Sequence, residues 1–110
     1  MTWVIDNSGT QTATINTEHV LSSGSVTNAT YALVVRLNNM ALGDVVELRT
    51  YTTTLSGGTL EQCGKATFGP WKPYNLVTWS LPVPSDVSIK VTLKQIAGTG
   101  RAFDWKLLRI

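Results

Sequence analysis

In residues 87–94, Val87, Ile89, Val91 and Leu93 alternate strictly with Ser88, Lys90, Thr92 and Lys94. A period of two matches a β-strand, whose successive side chains point to opposite faces. It does not match a helix, whose faces repeat every 3.6 residues. Such a strand needs a second apolar surface to cover its inner row, so this segment commits the chain to a layered β structure.

Other segments repeat the pattern. Tyr31, Leu33, Val35 and Leu37 alternate with Ala32, Val34 and Arg36, and Val46, Leu48 and Thr50 alternate with Glu47, Arg49 and Tyr51. Turn residues Asn38, Asn39, Gly43 and Asp44 lie between them, which predicts a hairpin over residues 31–50. Phe103, Trp105 and Leu107 follow the turn-like residues 97–100, which predicts a second hairpin over 87–108. Residues 59–68 read as the strand returning from 49–55. Leu60, Gln62, Ala66 and Phe68 share one face unless Gly64 forces a bulge. Residues 76–81 form a strand closed by Pro82 and Pro84, which cannot donate to a ladder and mark an edge or a loop.

The first third of the chain is more polar. Residues 2–5 read as a strand, 6–9 as a turn, 10–15 as a polar strand and 18–21 as another short strand. Loops are expected around 22–28 and 69–75. No window holds helical spacing for more than about two turns, apart from one possible turn at 38–42. The expectation is all-β: one domain over 1–110, a small antiparallel β-sandwich (jelly-roll-like) or barrel of about eight strands, with residues 1–15 an arm or edge strand.

Composition narrows the chemistry. Only 15% of residues are charged and the net charge is +2, with the cations spread along the chain. This is not the clustered basic footprint of a nucleic-acid binder. Residues 1–6 lack the basic start and apolar core of a secretory signal, and no apolar run approaches the ~20 residues needed to span a bilayer. The expectation is a protein made in a cytosol, or assembled there into something larger. Cys63 has no partner for a disulfide and reads as a small, half-buried strand residue. His19 is the single histidine, its neighbour Glu18 faces the other way, and it reads as an exposed or edge residue. One His and one Cys cannot make a zinc tetrad, and the seven acids show no calcium-loop spacing. We therefore expect no catalytic group, no metal and no cofactor.

Contact is the remaining mode of action. Trp71, Lys72, Pro73 and Tyr74 lie in a segment that combines large aromatic surface with stiffening prolines, which suits a protein-binding loop or a sugar-stacking one. The same Trp71 would also serve to cap an open end of the core. Thr10, Thr12 and Thr14 alternate in a stretch with a weak core signal, which makes residues 10–15 a candidate for strand addition to a partner.

Four stretches, residues 4–9, 43–49, 55–59 and 98–106, resemble small proteins encoded in the structural modules of tailed bacteriophages. The resemblance spans most of the chain. It implies a virion component, in particular a capsid decoration (cement) protein bound to the outside of the shell. The implied partner is the major capsid protein, and the implied state a homo-oligomer, such as a trimer at local symmetry axes. No nucleic acid or membrane partner is implied, and the site of synthesis is the bacterial cytoplasm. A glycan- or receptor-binding module of a tail fibre, or a tail or neck protein, is the competing reading.

The alternation makes one quantitative statement. Val91→Asp puts an unpaired charge on the inner row and should prevent folding, whereas Lys90→Ala on the opposite face should cost under about 0.5 kcal/mol. Urea denaturation of the two variants checks this; equal midpoints would refute the assignment of faces.

Overall fold

The computed structural model describes residues 4–24, 29–53, 58–69, 76–85 and 88–110. They form eight strands: β1 (Val4–Thr12), β2 (Glu18–Gly24), β3 (Ala29–Arg36), β4 (Val45–Thr52), β5 (Glu61–Phe68), β6 (Leu76–Ser85), β7 (Ile89–Ala97) and β8 (Ala102–Arg109). One sheet has the order β1-β8-β3-β6 and the other β2-β7-β4-β5. Every pairing is antiparallel. This is the eight-stranded jelly roll, a sandwich of two four-stranded sheets and not a closed barrel.

The inner faces carry the core. Tyr31, Leu33, Val35 and Leu37 from the β3 side, Phe103 and Leu107 from β8, Val46 and Leu48 from β4, and Ile89, Val91 and Leu93 from β7 all belong to one buried cluster. Each such side chain contributes about 1.5–3 kcal/mol when removed from water. The alternation in β7 therefore places its inner row as expected. Thr92, on the opposite face, is also fully buried, because polar side chains of the neighbouring strands close over it.

The strand pairing corrects the sequence reading. β3 and β4 belong to different sheets, as do β7 and β8. Residues 31–50 and 87–108 are thus not hairpins; each crosses from one layer to the other. Among the described strands only β4 and β5 follow each other in one sheet. Periodicity reports which side chains face inward, and two strands facing one core show the same pattern whether they lie side by side or opposite.

Local details differ too. Residues 6–9 are not a turn: β1 runs through them, with a register shift between Ile5 and Asn7 that accommodates Asp6 as a bulge. The bulge sets the Asp6 carboxylate 3.1 Å from Arg109 Nε. β1 ends at Thr12, short of the expected residue 15, because a turn follows in which Thr17 N–H bonds the Thr14 carbonyl and Asn16 takes a φ of 63°. Asn tolerates that left-handed conformation better than other non-glycine residues. Residues 38–42 make no helical turn. Met40 N–H bonds Leu37 O and Asp44 N–H bonds Ala41 O, which are two successive β-turns. β6 continues through Pro82 and Pro84, at an edge of its sheet. In β5 the bulge falls at Cys63, because Thr50 pairs with Gly64 and Tyr51 with Gln62. That slip turns Gln62 outward beside Tyr51, off the face of Phe68, and leaves Cys63 exposed.

Candidate functional site

The connections at one end of the sandwich converge on two buried polar residues. Asp44 follows the second β-turn after β3 and is 1% exposed. Its Oδ2 accepts from Ala41 N–H at 2.8 Å and from Arg101 Nε at 3.0 Å, and its Oδ1 accepts from Thr99 N–H at 3.0 Å. Gln95, fully buried, continues the inward row of β7. Its amide donates to Ala97 O at 3.1 Å and Thr99 O at 2.7 Å, and its side-chain carbonyl accepts from Arg101 N–H at 3.1 Å. The Gln95 main-chain carbonyl accepts from Asn16 N–H, and Ala13 N–H donates to Arg101 O, both at 2.8 Å. Asp44 and Gln95 thus tie together the connections after β1, β3 and β7.

Burial alone would push the Asp44 carboxyl up. The two backbone N–H donors and Arg101 outweigh it and hold it below its ordinary 3.8. The result is a rigid platform. From it Leu42, at 94% exposure, projects out of the turn 41–44. A fully exposed leucine on a pinned turn offers apolar contact with little ordering cost. Phe68, which ends β5, pairs with Val46 at this same end, and Leu76, which begins β6, pairs with Arg36. Trp71, Lys72, Pro73 and Tyr74 fall between these two strands and lie outside the described residues.

The outer face of the β2-β7-β4-β5 sheet carries a second network. Tyr51 Oη and Thr92 Oγ1 both donate to Glu18 Oε2, the latter at 2.7 Å. Arg49 lies 3.4 Å from Glu18 Oε1 and 3.3 Å from Glu47 Oε1, and Lys65 lies 3.5 Å from Glu47 Oε2. Burial would raise the Glu18 carboxyl, but Tyr51, Thr92, Arg49 and Lys90 together lower it. Lys90 lies 4.2 Å above the Tyr51 ring. Its removal therefore loses a cation–π contact, and the expected cost of Lys90→Ala rises to about 0.5–1 kcal/mol. Glu18, Arg49, Glu47 and Lys65 pair with one another across this face, which braces it.

Thr10, Thr12 and Thr14 lie along the β1 edge of the other sheet and are all exposed. Thr10 and Thr12 share one strand face, and Thr10 Oγ1 donates to Asp104 Oδ1 at 2.7 Å. Thr14 lies beyond the strand, where its N–H donates to His19 Nε2 at 3.0 Å. That bond places His19, in the edge strand β2, against the turn. On the outer face of the β1 sheet, Ile5, Val34, Arg36, Asp104 and Lys106 line an open groove of about 280 Å³. Among the described residues no three His, Cys, Asp or Glu side chains gather as a metal site, and no helix is long and apolar enough to cross a membrane.

The sequence reading missed the Asp44–Gln95–Arg101 hub. A signal for it was present: Gln95 occupies an inward position of the 87–93 alternation, and a polar residue in an apolar row needs buried hydrogen-bond partners.

No family model matches the chain, and no curated protein matches it. Among solved structures, it is similar to a protein of infectious bursal disease virus, described as the VP2 subviral particle. The TM-score is 0.54 at 14% sequence identity, over 99% of this chain and 32% of the other. The chain thus spans about a third of the length of that protein. At this identity the likeness concerns the fold, a viral capsid-like β-sandwich.

Two outcomes follow from the Asp44 hub. Gly98 has a φ of 89°, and a Cβ there would overlap the Asp44 carboxylate and come within 2.7 Å of its Cα; at Gly43, φ 93°, nothing lies within 4 Å. Gly43→Ala should cost only the left-handed strain of about 1–2 kcal/mol, and Gly98→Ala clearly more, by urea denaturation. The lowered Asp44 carboxyl stabilises the fold above the ordinary value of 3.8, and this contribution is lost as pH falls through the lower folded value. Asp44→Asn should therefore show a flatter loss of stability between pH 5 and pH 2 than the parent, as read from urea midpoints across that range. Identical acid limbs would count against this role of Asp44.

Proposed function

We propose that the protein is a non-enzymatic structural component of a bacteriophage virion. In this reading it binds the outside of the capsid shell as a decoration protein, with the major capsid protein as its partner and copies of itself as neighbours. The observation that carries the proposal is the fold: almost the whole chain superposes on part of a protein that forms a viral particle. The resemblance of four stretches of sequence to phage structural-module proteins supports the phage context.

The surface chemistry fits the same reading. Arg49, Lys65, Arg101 and Arg109 each lie against a carboxylate, and the net charge is only +2, a weak attraction for nucleic acid. The platform around Asp44 holds the connections after β1, β3 and β7 rigid and presents Leu42, as a docking end should. Contacts that are individually modest add to shell stability when repeated at many equivalent sites, because a component that binds only the assembled shell shifts its equilibrium toward assembly.

The test is sedimentation with purified mature shells in physiological salt. The protein should pellet with them and raise their thermal rupture temperature, and Leu42→Asp should weaken the association while leaving the protein's own melting unchanged. No co-sedimentation would contradict the proposal.

A further inference from the structure

The four sheet edges are not equally protected. β6 carries Pro82 and Pro84. β5 carries Glu61, Lys65 and the bulge at Cys63, and β2 is broken by a register shift between Val20 and Ser22. Prolines, charges and bulges are the usual means of stopping a sheet edge from pairing with another chain. β1 beyond its bulge, Asn7 to Thr12, holds six residues with no proline and no charge.

The hydrogen-bond parity of β1 shows which groups face outward. Ala13 N–H bonds Arg101 O, and the register continues from there as Thr12 with Ala102, Gln11 with Phe103 and Thr10 with Asp104. Antiparallel partners alternate between pairs that exchange hydrogen bonds and pairs whose N–H and C=O groups point away from each other. Residues 13, 11, 9 and 7 therefore bond to β8. Ser8, Thr10 and Thr12 direct their backbone groups out of the sheet. Two of these outward groups are covered by the strand's own side chains: Ser8 N–H donates to Asn7 Oδ1 at 2.9 Å, and Thr12 O accepts from Gln11 Nε2 at 3.0 Å. Among the described residues the N–H groups of Thr10 and Thr12 and the carbonyls of Ser8 and Thr10 have no partner.

This arrangement is self-complementary. In an antiparallel pairing of two β1 strands centred on Thr10, Thr10 exchanges two hydrogen bonds with its copy, and Ser8 pairs with Thr12 of the other chain. The two groups that are capped within one chain, Ser8 N–H and Thr12 C=O, are then each other's partners. Asn7 and Gln11 have only to swing aside. The Asn7 amide N already reaches Ser22 Oγ at 3.4 Å and can keep that contact. The half-buried Trp105 indole packs beside Gly9, 3.6 Å from where a Cβ would stand, and this register sets Gln11 of the second copy next to Gly9. No like charges meet across the two-fold axis.

We infer that β1 is a self-pairing edge, through which two copies of this chain join antiparallel about Thr10 into one continuous eight-stranded sheet. The inference is independent of shell binding, since the pairing needs no partner other than the chain itself. Side-chain caps on Ser8 and Thr12 compete with it, which makes the association weak in dilute solution and stronger where copies are concentrated.

Sedimentation equilibrium of the full chain from micromolar to millimolar concentration tests this. The parent should form a dimer. Thr10→Pro, which removes the central N–H at an exposed edge position, should weaken it at least about tenfold. Thr10→Val keeps that N–H and should keep the dimer. Amide hydrogen exchange of the unaltered protein gives an independent reading, in which the Thr10 and Thr12 amides should slow as concentration rises. A parent that stays monomeric throughout, a dimer indifferent to Thr10→Pro, or exchange rates that do not change with concentration would overturn the inference.

Discussion

Each sheet has an apolar face that only the other can cover, and the rest of the molecule depends on that mutual burial. The inward rows of β3, β4, β7 and β8 meet in one cluster that includes Leu33, Val35, Leu48, Val91, Leu93 and Phe103. No strand in it lies next to all its contacts along the chain. Successive strands mostly change layer, so every crossing connection is fixed only once both sheets are in place. This makes the core a long-range construction, formed from contacts distant in sequence.

Covering the core leaves its open ends to be closed, and one end is closed by polar chemistry. Asp44 and Gln95 are buried where an apolar residue would leave the surrounding backbone N–H and C=O groups without partners. They satisfy those groups and fix three connections in one step. The stiffness of this end and the exposed Leu42 on it have the same origin. Away from that end, Glu18, Arg49, Glu47 and Lys65 brace an outer sheet face by pairing with one another.

Much of this was legible in residue order. The alternation over 87–94 identified an inward row whose members Ile89, Val91 and Leu93 the structure places in the core, and its repetition indicated the strand content while leaving sandwich and barrel open. Pairing was not legible, because Leu33 and Leu48 show the same periodicity as cross-strand neighbours or as partners across two layers. Turn chemistry misled at residues 6–9: Asp6, Asn7, Ser8 and Gly9 have turn preferences, yet the ladder to β8 carries the strand through them at the expense of one bulge. The site was least legible. Asp44 was visible only as a turn residue, and Gln95, a polar residue extending the apolar row of 87–93, went unread. Of the contact residues proposed from sequence, Thr10 and Thr12 fall together on the β1 edge and Thr14 falls beyond it in a turn, whereas residues 71–74 lie outside the described part of the chain.

A rigid jelly roll with one braced face, one pinned end and one unprotected edge is suited to fitting against neighbours of fixed geometry. That is what the proposed role as a particle component requires. The most direct test of the proposed capsid role is quantitative mass spectrometry of purified particles of the phage proposed to encode the chain, with copy number taken relative to the major shell protein. A decoration protein should be present at a fixed stoichiometry of hundreds of copies per particle; particles that are infectious, intact and free of the chain would contradict the proposed role.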